Sequence, residues 1–312
     1  MIPNIVFLDE YSLGGADLSA IRSLGRYTGY ENTAAEQVVD RCREADVVIA
    51  NKVRLGRETL EALPRLRLVC IAATGMNNVD LEAAAACGTE ARNVQGYSTH
   101  SVAETTIGAA IALLRHTLYY DRFVKSGAWS ASQRQFHFGR PNRQLRGACW
   151  GIVGLGAIGR ETARLAAAFG CDVRYTSTSG VVRREEYPAL PLAELLAWAD
   201  VVSIHAPLNR ATEGLIGAAE LRRMKPTAVL VNVARGGIVD EAALAEALAC
   251  GTIDGAALDV FAGEPPAADS PLLHLPDPDR LLVSPHNAWS PHEAVGTLVE
   301  GIVRNIRTHY AE

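Results

Sequence analysis

The stretch CWGIVGLGAIGRETARLAAAFG, residues 149–170, decides how this chain is read. A short apolar run from Cys149 to Val153 meets glycines at 154, 156 and 159, and an alanine-rich segment follows without a break. That order is a strand, a tight turn and a helix. Each glycine has its own physical reason. Gly154 allows the turn, Gly156 lets a pyrophosphate approach the backbone, and Gly159 lets the helix lie against the sheet. Glycines so spaced can also serve packing alone, but in this strand-to-helix setting they predict a dinucleotide-binding Rossmann unit.

The same alternation extends both ways. Upstream lie IVFLDE (5–10), TAAEQVVDRCREA (33–45), DVVIANK (46–52), RLVCIAAT (67–74) and NVDLEAAAACG (78–88). Downstream come DVRYTS, LAELLAWAD, VVSIHAPL, TAVLVNVARGG, DEAALAEALACG, GAALDVF and LLVSPHNAW. Short β-branched runs between Ala/Leu/Glu-rich segments predict βα units and parallel sheets. A length of 312 residues favours two domains. The stretch from Ser101 to about Lys125 reads as one long crossover helix joining them, with Ser101 and Glu104 at capping-box spacing. Pro291 to Glu312 reads as a helix with Leu298, Ile302, Val303 and Ile306 on one face. Placed back on the first domain, it makes that domain discontinuous.

Composition narrows the function classes. With 48% hydrophobic and 21% charged residues, the chain has the balance of an ordinary globular protein. A net charge of −5 provides no electrostatic footprint for nucleic acid or an anionic membrane. No apolar stretch reaches the roughly 18 residues of a membrane span, and MIPNIVFLDEYS lacks the pattern of a signal peptide, so the cytoplasm is the expected location. The six cysteines form no CxxC pair and are expected to be reduced, buried small hydrophobes. The eight histidines show no HExxH spacing, and no metal site is expected.

Four residues stand out for chemistry. Arg235 closes AVLVNVA and precedes Gly236 and Gly237, glycines that suggest something comes close to the backbone. Asp259 ends GAALD, Glu264 follows in VFAGEPP, and His286 lies in LLVSPHNAW. Taken singly, each has a bland alternative: a surface arginine, solvated loop carboxylates, a structural histidine. Together they fall at or just beyond the carboxyl ends of predicted strands, where open parallel sheets bind ligands. An arginine to grip a carboxylate and a histidine backed by a glutamate is what carbonyl reduction beside a nicotinamide requires.

The predicted strand after the glycine turn should end in an acid, about 20 residues on, that binds the adenosine ribose. Ser177 and Thr178 stand there, followed by Ser179. A hydroxyl cannot repel a 2′-phosphate but can bond it, and Arg183 and Arg184 follow a few residues along. NADP is therefore the favoured cofactor, with NAD possible; the alternative is a solvated turn with little preference.

The segments TGMNNVD, NVQGYSTHSVAE, GIVGLGAIGRE, VSIHAPL, NVARGGIVDEAALAEAL, GAALDVFAGEPP and SPHNAW carry a resemblance. Over essentially its full length the chain resembles the D-isomer-specific 2-hydroxyacid dehydrogenases. The resemblance implies an α/β protein of two Rossmann-like domains with parallel sheets, the nucleotide domain inserted into a discontinuous substrate domain. Residues 1–97 and 288–312 would form the substrate-binding domain and residues 98–287 the NAD(P)-binding domain, in a homodimer built around the crossover helix. Arg235 would orient the 2-keto acid, His286 would exchange a proton with its oxygen, and Glu264 would hydrogen-bond the histidine. Asp259 would contact the nicotinamide end of the cofactor. Gly154, Gly156, Ala157, Ile158, Gly159, Ser177, Thr178, Arg183, Pro207 and Val233 would line the rest of it. The loop Thr74, Gly75, Met76 and Asn77 would offer backbone N–H groups to the substrate carboxylate.

Within that family, NKV at 51–53, GYST at 96–99 and SPHNAW at 284–289 are similar to glycerate dehydrogenases, also called hydroxypyruvate reductases. Other branches follow the histidine with two glycines, whereas Asn287, Ala288 and Trp289 stand here. Trp289 could wall the pocket against long substrates or fill a core between domains. The implied activity is NAD(P)H-dependent reduction of hydroxypyruvate or glyoxylate to the D-2-hydroxy acid. Two alternatives are a reductase of a bulkier acid such as phenylpyruvate and a non-catalytic, cofactor-sensing protein like certain corepressors.

Overall fold

The computed structural model describes residues 2–180 and 185–311. The chain divides into two compact units: residues 1–98 with 289–312, and residues 99–288. Each is an α/β unit with a wholly parallel sheet.

In the first unit, β1 (Asn4–Phe7), β2 (Arg26–Gly29), β3 (Val47–Ala50), β4 (Leu68–Ile71) and β5 (Glu90–Asn93) lie in the order β2-β1-β3-β4-β5. The VVIA of β3 and LVCI of β4 are buried throughout, because both faces of the sheet are covered. Alternate residues feed two cores: Ile5, Phe7, Val47, Ile49, Leu68 and Cys70 one of them, Val6, Val48, Ala50, Val69 and Ile71 the other. The helix His292–Ala311 packs Leu298, Ile302, Val303 and Ile306 into the first of these cores, so the end of the chain returns to the unit where it began.

In the second unit, β6 (Cys149–Val153), β7 (Asp172–Thr176), β8 (Val201–Ile204), β9 (Val229–Asn232), β10 (Gly255–Leu258) and β11 (Leu281–Val283) lie in the order β11-β10-β9-β8-β6-β7. The winding matches the first unit. The first strand lies next to one edge, the second forms that edge, and the others build outward on the opposite side. Strand order therefore reverses at β1/β3 in one unit and at β6/β8 in the other, and a crevice forms at such a point.

The single crossover helix is not formed. Helices Thr99–Leu114 and Thr117–Lys125 are separated at His116, whose backbone is left-handed at φ 48° and ψ 43°. Its imidazole is buried with Nε2 3.6 Å from Asp254, a partner far along the chain that the local pattern could not reveal. Burial holds the pKa of this histidine below its ordinary value against the pull of Asp254. Ser101 and Glu104 do not mark the start of the helix. The helix starts earlier, at Thr99, and the buried Ser101 hydroxyl donates instead to the Ala288 carbonyl at 2.7 Å.

All six cysteines are free thiols, but they are not uniformly buried: Cys42 and Cys70 are, while Cys250 is exposed. Burial pushes the Cys42 thiol up to about 12. Among the described residues, no group of three or more His, Cys, Asp or Glu could hold a metal ion, and no helix is long and apolar enough to cross a membrane.

Candidate active site

At the end of β6 the three glycines do three different things. Gly154 has φ +93°, and a Cβ there would stand 3.0 Å from the Ala206 backbone. A Cβ on Gly159 would come within 2.3 Å of the Gly154 carbonyl oxygen, so its absence lets the helix close on the turn. Gly156 differs, since a Cβ there would meet nothing within 4 Å. It precedes the helix Ala157–Ala168, whose N-terminus receives no side-chain cap. Open space over a glycine and an uncapped positive helix end form a cradle for an anion, and the pyrophosphate of a dinucleotide fits it. Ala157, exposed, and Ile158, half-buried, begin that helix.

The Gly154 N–H donates to the Thr176 carbonyl at 3.0 Å, which holds the end of β7 beside the turn. Ser177 follows, exposed, with its hydroxyl 3.2 Å from that of Ser179; Thr178 is half-buried. Arg183 and Arg184 lie outside the described residues. Pro207, exposed beyond β8, accepts a 2.6 Å hydrogen bond from the Thr212 hydroxyl, and Val233 is buried just past β9.

Arg235, Glu264 and His286 follow three adjacent strands, β9, β10 and β11. Asn232, buried at the end of β9, folds the arginine loop by donating to the Arg235 carbonyl at 2.9 Å and accepting from Ala234 N–H at 3.1 Å. The half-buried guanidinium donates to the Ala234 carbonyl at 2.7 Å, and among the described residues no carboxylate lies within ion-pair distance of it. What comes close to the neighbouring glycine is protein: a Cβ on Gly236 would stand 1.8 Å from the Phe261 carbonyl oxygen. The close approach expected at this pair is therefore made by the loop after β10. That loop carries Glu264, whose Oε1 accepts from Phe261 N–H at 3.1 Å and whose Oε2 is 2.6 Å from His286 Nδ1.

His286 holds an uncommon left-handed backbone, φ 53°. Asp259, only 3% exposed, holds the loop in place: its carboxylate accepts from the Ser284 hydroxyl at 2.5 Å and from the N–H groups of Asn287 and Ala288, each at 3.0 Å. In this structure Asp259 thus orders the histidine loop, a duty separate from the nicotinamide contact that the resemblance implies. Neither this duty nor that of Asn232 was legible beforehand, and the only hint was a polar residue closing an apolar run.

A second histidine, His205, sits just past β8 and has different chemistry. Its Nε2 is 3.0 Å from the Ser203 hydroxyl, which accepts from Trp150 Nε1 at 2.9 Å. The Ser203 hydroxyl therefore bridges the indole and the imidazole. Burial pushes its pKa down to about 3.

In the first unit, the loop after β4 is tied at Thr74. The Thr74 hydroxyl donates to the Val94 carbonyl at 3.3 Å, and its own carbonyl accepts from Asn93 Nδ2 at 2.6 Å. Gly75 and Met76 are half-buried, with Met76 against the apolar core of that face. Trp289 packs on the first unit's own core, edge-on to Tyr97 at 6.2 Å.

The family described as D-isomer specific 2-hydroxyacid dehydrogenase, NAD binding domain, matches residues 107–288. A glycerate dehydrogenase of Methylorubrum extorquens is 38% identical over 315 residues, covering 100% of this chain and 97% of that one. A hydroxypyruvate reductase of Blautia hydrogenotrophica is 32% identical over 309 residues, 97% of this chain and 95% of that one. Among solved structures, D-lactate dehydrogenase of Aquifex aeolicus complexed with NAD and lactic acid matches with a TM-score of 0.85 at 25% identity, over 99% of this chain and 95% of that one. A matching family over most of the chain, full-length relatives and a shared two-unit fold lead to one conclusion: the chain belongs to the D-isomer specific 2-hydroxyacid dehydrogenases and is an NAD(P)-dependent oxidoreductase.

Proposed function

We propose that this enzyme reduces a small 2-keto acid, hydroxypyruvate or glyoxylate, to the D-2-hydroxy acid, and that it prefers NADPH to NADH. The observation that carries the reading is the contact between His286 Nδ1 and Glu264 at 2.6 Å, on a strand end two strands from Arg235. Glu264 orients the ring and balances the charge of an imidazolium, so the proton leaves from Nε2 to the carbonyl oxygen. Arg235 grips the keto acid through its fork of N–H donors. Backbone N–H groups at Thr74, Gly75 and Met76 take the substrate carboxylate. Bound along Gly154–Gly159, a nicotinamide cofactor supplies the hydride.

The proposal includes the division of labour, with residues 1–97 and 288–312 for substrate and 98–287 for the nucleotide, and a homodimer. Similarity to a glycerate dehydrogenase and a hydroxypyruvate reductase along the whole chain supports the small substrate. Ser177 supports the cofactor, because the exposed hydroxyl at the end of β7 brings no charge to repel a 2′-phosphate.

The test is kcat/KM for hydroxypyruvate, glyoxylate and phenylpyruvate with each cofactor, in wild type and Ser177→Asp. NADPH should be favoured about tenfold or more in wild type, and Ser177→Asp should reverse the order by restoring a ribose partner and the repulsion. A wild type that favours NADH would remove the cofactor assignment. Absence of cofactor oxidation with every acid would favour a sensing role instead.

A further inference from the structure

The crevice of the first unit falls between the ends of β1 and β3, and Asp9 fills it. Asp9 is 3% exposed. Its carboxylate accepts hydrogen bonds from three consecutive backbone N–H groups just beyond β3. Asn51 donates at 2.9 Å to one oxygen and 3.1 Å to the other, while Lys52 at 2.6 Å and Val53 at 3.2 Å share the second. Successive N–H groups converging on one point make an anion nest, and the anion held in this one belongs to the chain itself.

From that nest a ladder of bonds runs to the loop after β4. The Val53 carbonyl accepts from Asn78 Nδ2 at 3.2 Å. Leu55 N–H donates to the Asn78 carbonyl at 2.8 Å, Asp80 N–H returns to the Leu55 carbonyl at 3.0 Å, and Leu55 and Val79 pair as a parallel bridge. Val79 N–H then donates to the Met76 carbonyl at 3.1 Å. The segment 51–55 is thus fixed by Asp9 at one side and fixes the loop 74–77 at the other.

We propose that Asp9 is a positioning residue for keto-acid binding: its buried carboxylate sets segment 51–55 and, through Asn78, the loop that receives the substrate carboxylate. This rests on reading residues 74–77 as the carboxylate loop. A merely structural role would lower stability and leave the kinetic constants of the folded enzyme alone. A positioning role predicts a split instead. Loosening the loop weakens keto-acid binding, whereas the glycine turn that takes the cofactor and the histidine that moves the proton both belong to the other unit.

Asp9→Asn keeps the shape and removes the charge and one acceptor, leaving N–H donors underserved. KM for hydroxypyruvate should rise about tenfold or more, with kcat within about twofold and KM for NADPH unchanged. Asn78→Ala, which cuts only the side-chain link to Val53, should move the same constant in the same direction by about threefold, and it decides the matter if Asp9→Asn does not fold. Gly75→Val examines the underlying reading by adding bulk where the substrate carboxylate would sit. If Gly75→Val leaves KM for hydroxypyruvate unchanged, the loop is misread, and the inference falls with it. If Gly75→Val raises that KM while Asp9→Asn and Asn78→Ala do not, the inference alone is overturned. It is overturned equally if they raise the KM for NADPH as much as that for the keto acid.

Discussion

The two units wind their strands in the same sense and treat the resulting crevice in opposite ways. At β6/β8 the chain leaves the crevice open, with a glycine at φ +93°, a second glycine facing empty space and a helix N-terminus without a side-chain cap. At β1/β3 it closes it: the N–H groups of residues 51–53 converge on the buried carboxylate of Asp9. Winding of this kind places backbone donors at the reversal point in both units. Single side chains then decide whether that point holds a ligand or a joint. The joint is not idle, since the segment it fixes also fixes the loop proposed to take the substrate carboxylate.

If the open unit carries the chemistry, removing its proton donor should have the largest effect. His286→Ala is expected to lower turnover by about 10²–10⁴-fold while NADPH affinity stays within about twofold. Turnover near wild type would place the proton donor elsewhere, and His205, half-buried with its pKa pushed down to about 3, could not replace it.

The smallest effect sharpens the contrast between a joint near the site and a joint away from it. Asp200 lies just before β8, at the amino ends of the strands, where its carboxylate accepts from Cys149 N–H at 2.9 Å and from Lys225 Nζ at 3.0 Å. Burial pushes its pKa up, but the Cys149 N–H and Lys225 outweigh it and hold the group below the ordinary carboxylate value. A carboxylate depressed in the folded state contributes stability above its unfolded value, about 4, and loses it as pH falls through the folded value. Asp200→Asn should therefore lower Tm by a few degrees at pH 7, with the gap to wild type closing below about pH 4. KM for hydroxypyruvate should not move. An equal gap at pH 3 and pH 7 would mean that the charge is not what stabilises. A rise in KM like that expected for Asp9→Asn would erase the distinction between the two joints.

Local pattern carried much of the fold. The glycine turn, the alternation of strands and helices and the apolar face of His292–Ala311 are readable because their signals lie within a few residues of one another. The break at His116 was not readable, since the buried, left-handed residue faces Asp254 from far along the chain and nothing in the local pattern marks it. Nor was the approach of Phe261 to Gly236, which reads locally as room for a ligand. The site divides along the same line. That Arg235, Glu264 and His286 lie beyond strand ends follows from the sequence, whereas the duties of Asp9, Asn232 and Asp259 depend on backbone donors brought close only by folding. A buried acid after an apolar run looks the same in sequence whether it holds a loop or meets a ligand.

The most direct measurement is a titration of NADPH into wild type and Gly156→Val, followed by cofactor fluorescence, with Tm recorded for both. Because a Cβ on Gly156 meets no protein atom within 4 Å, the variant should fold with Tm within about 5 °C of wild type. Its side chain would fill the space reserved for the pyrophosphate, so NADPH affinity should fall by about 100-fold or more. Equal affinity in the two proteins would contradict the reading of this turn as the cofactor cradle.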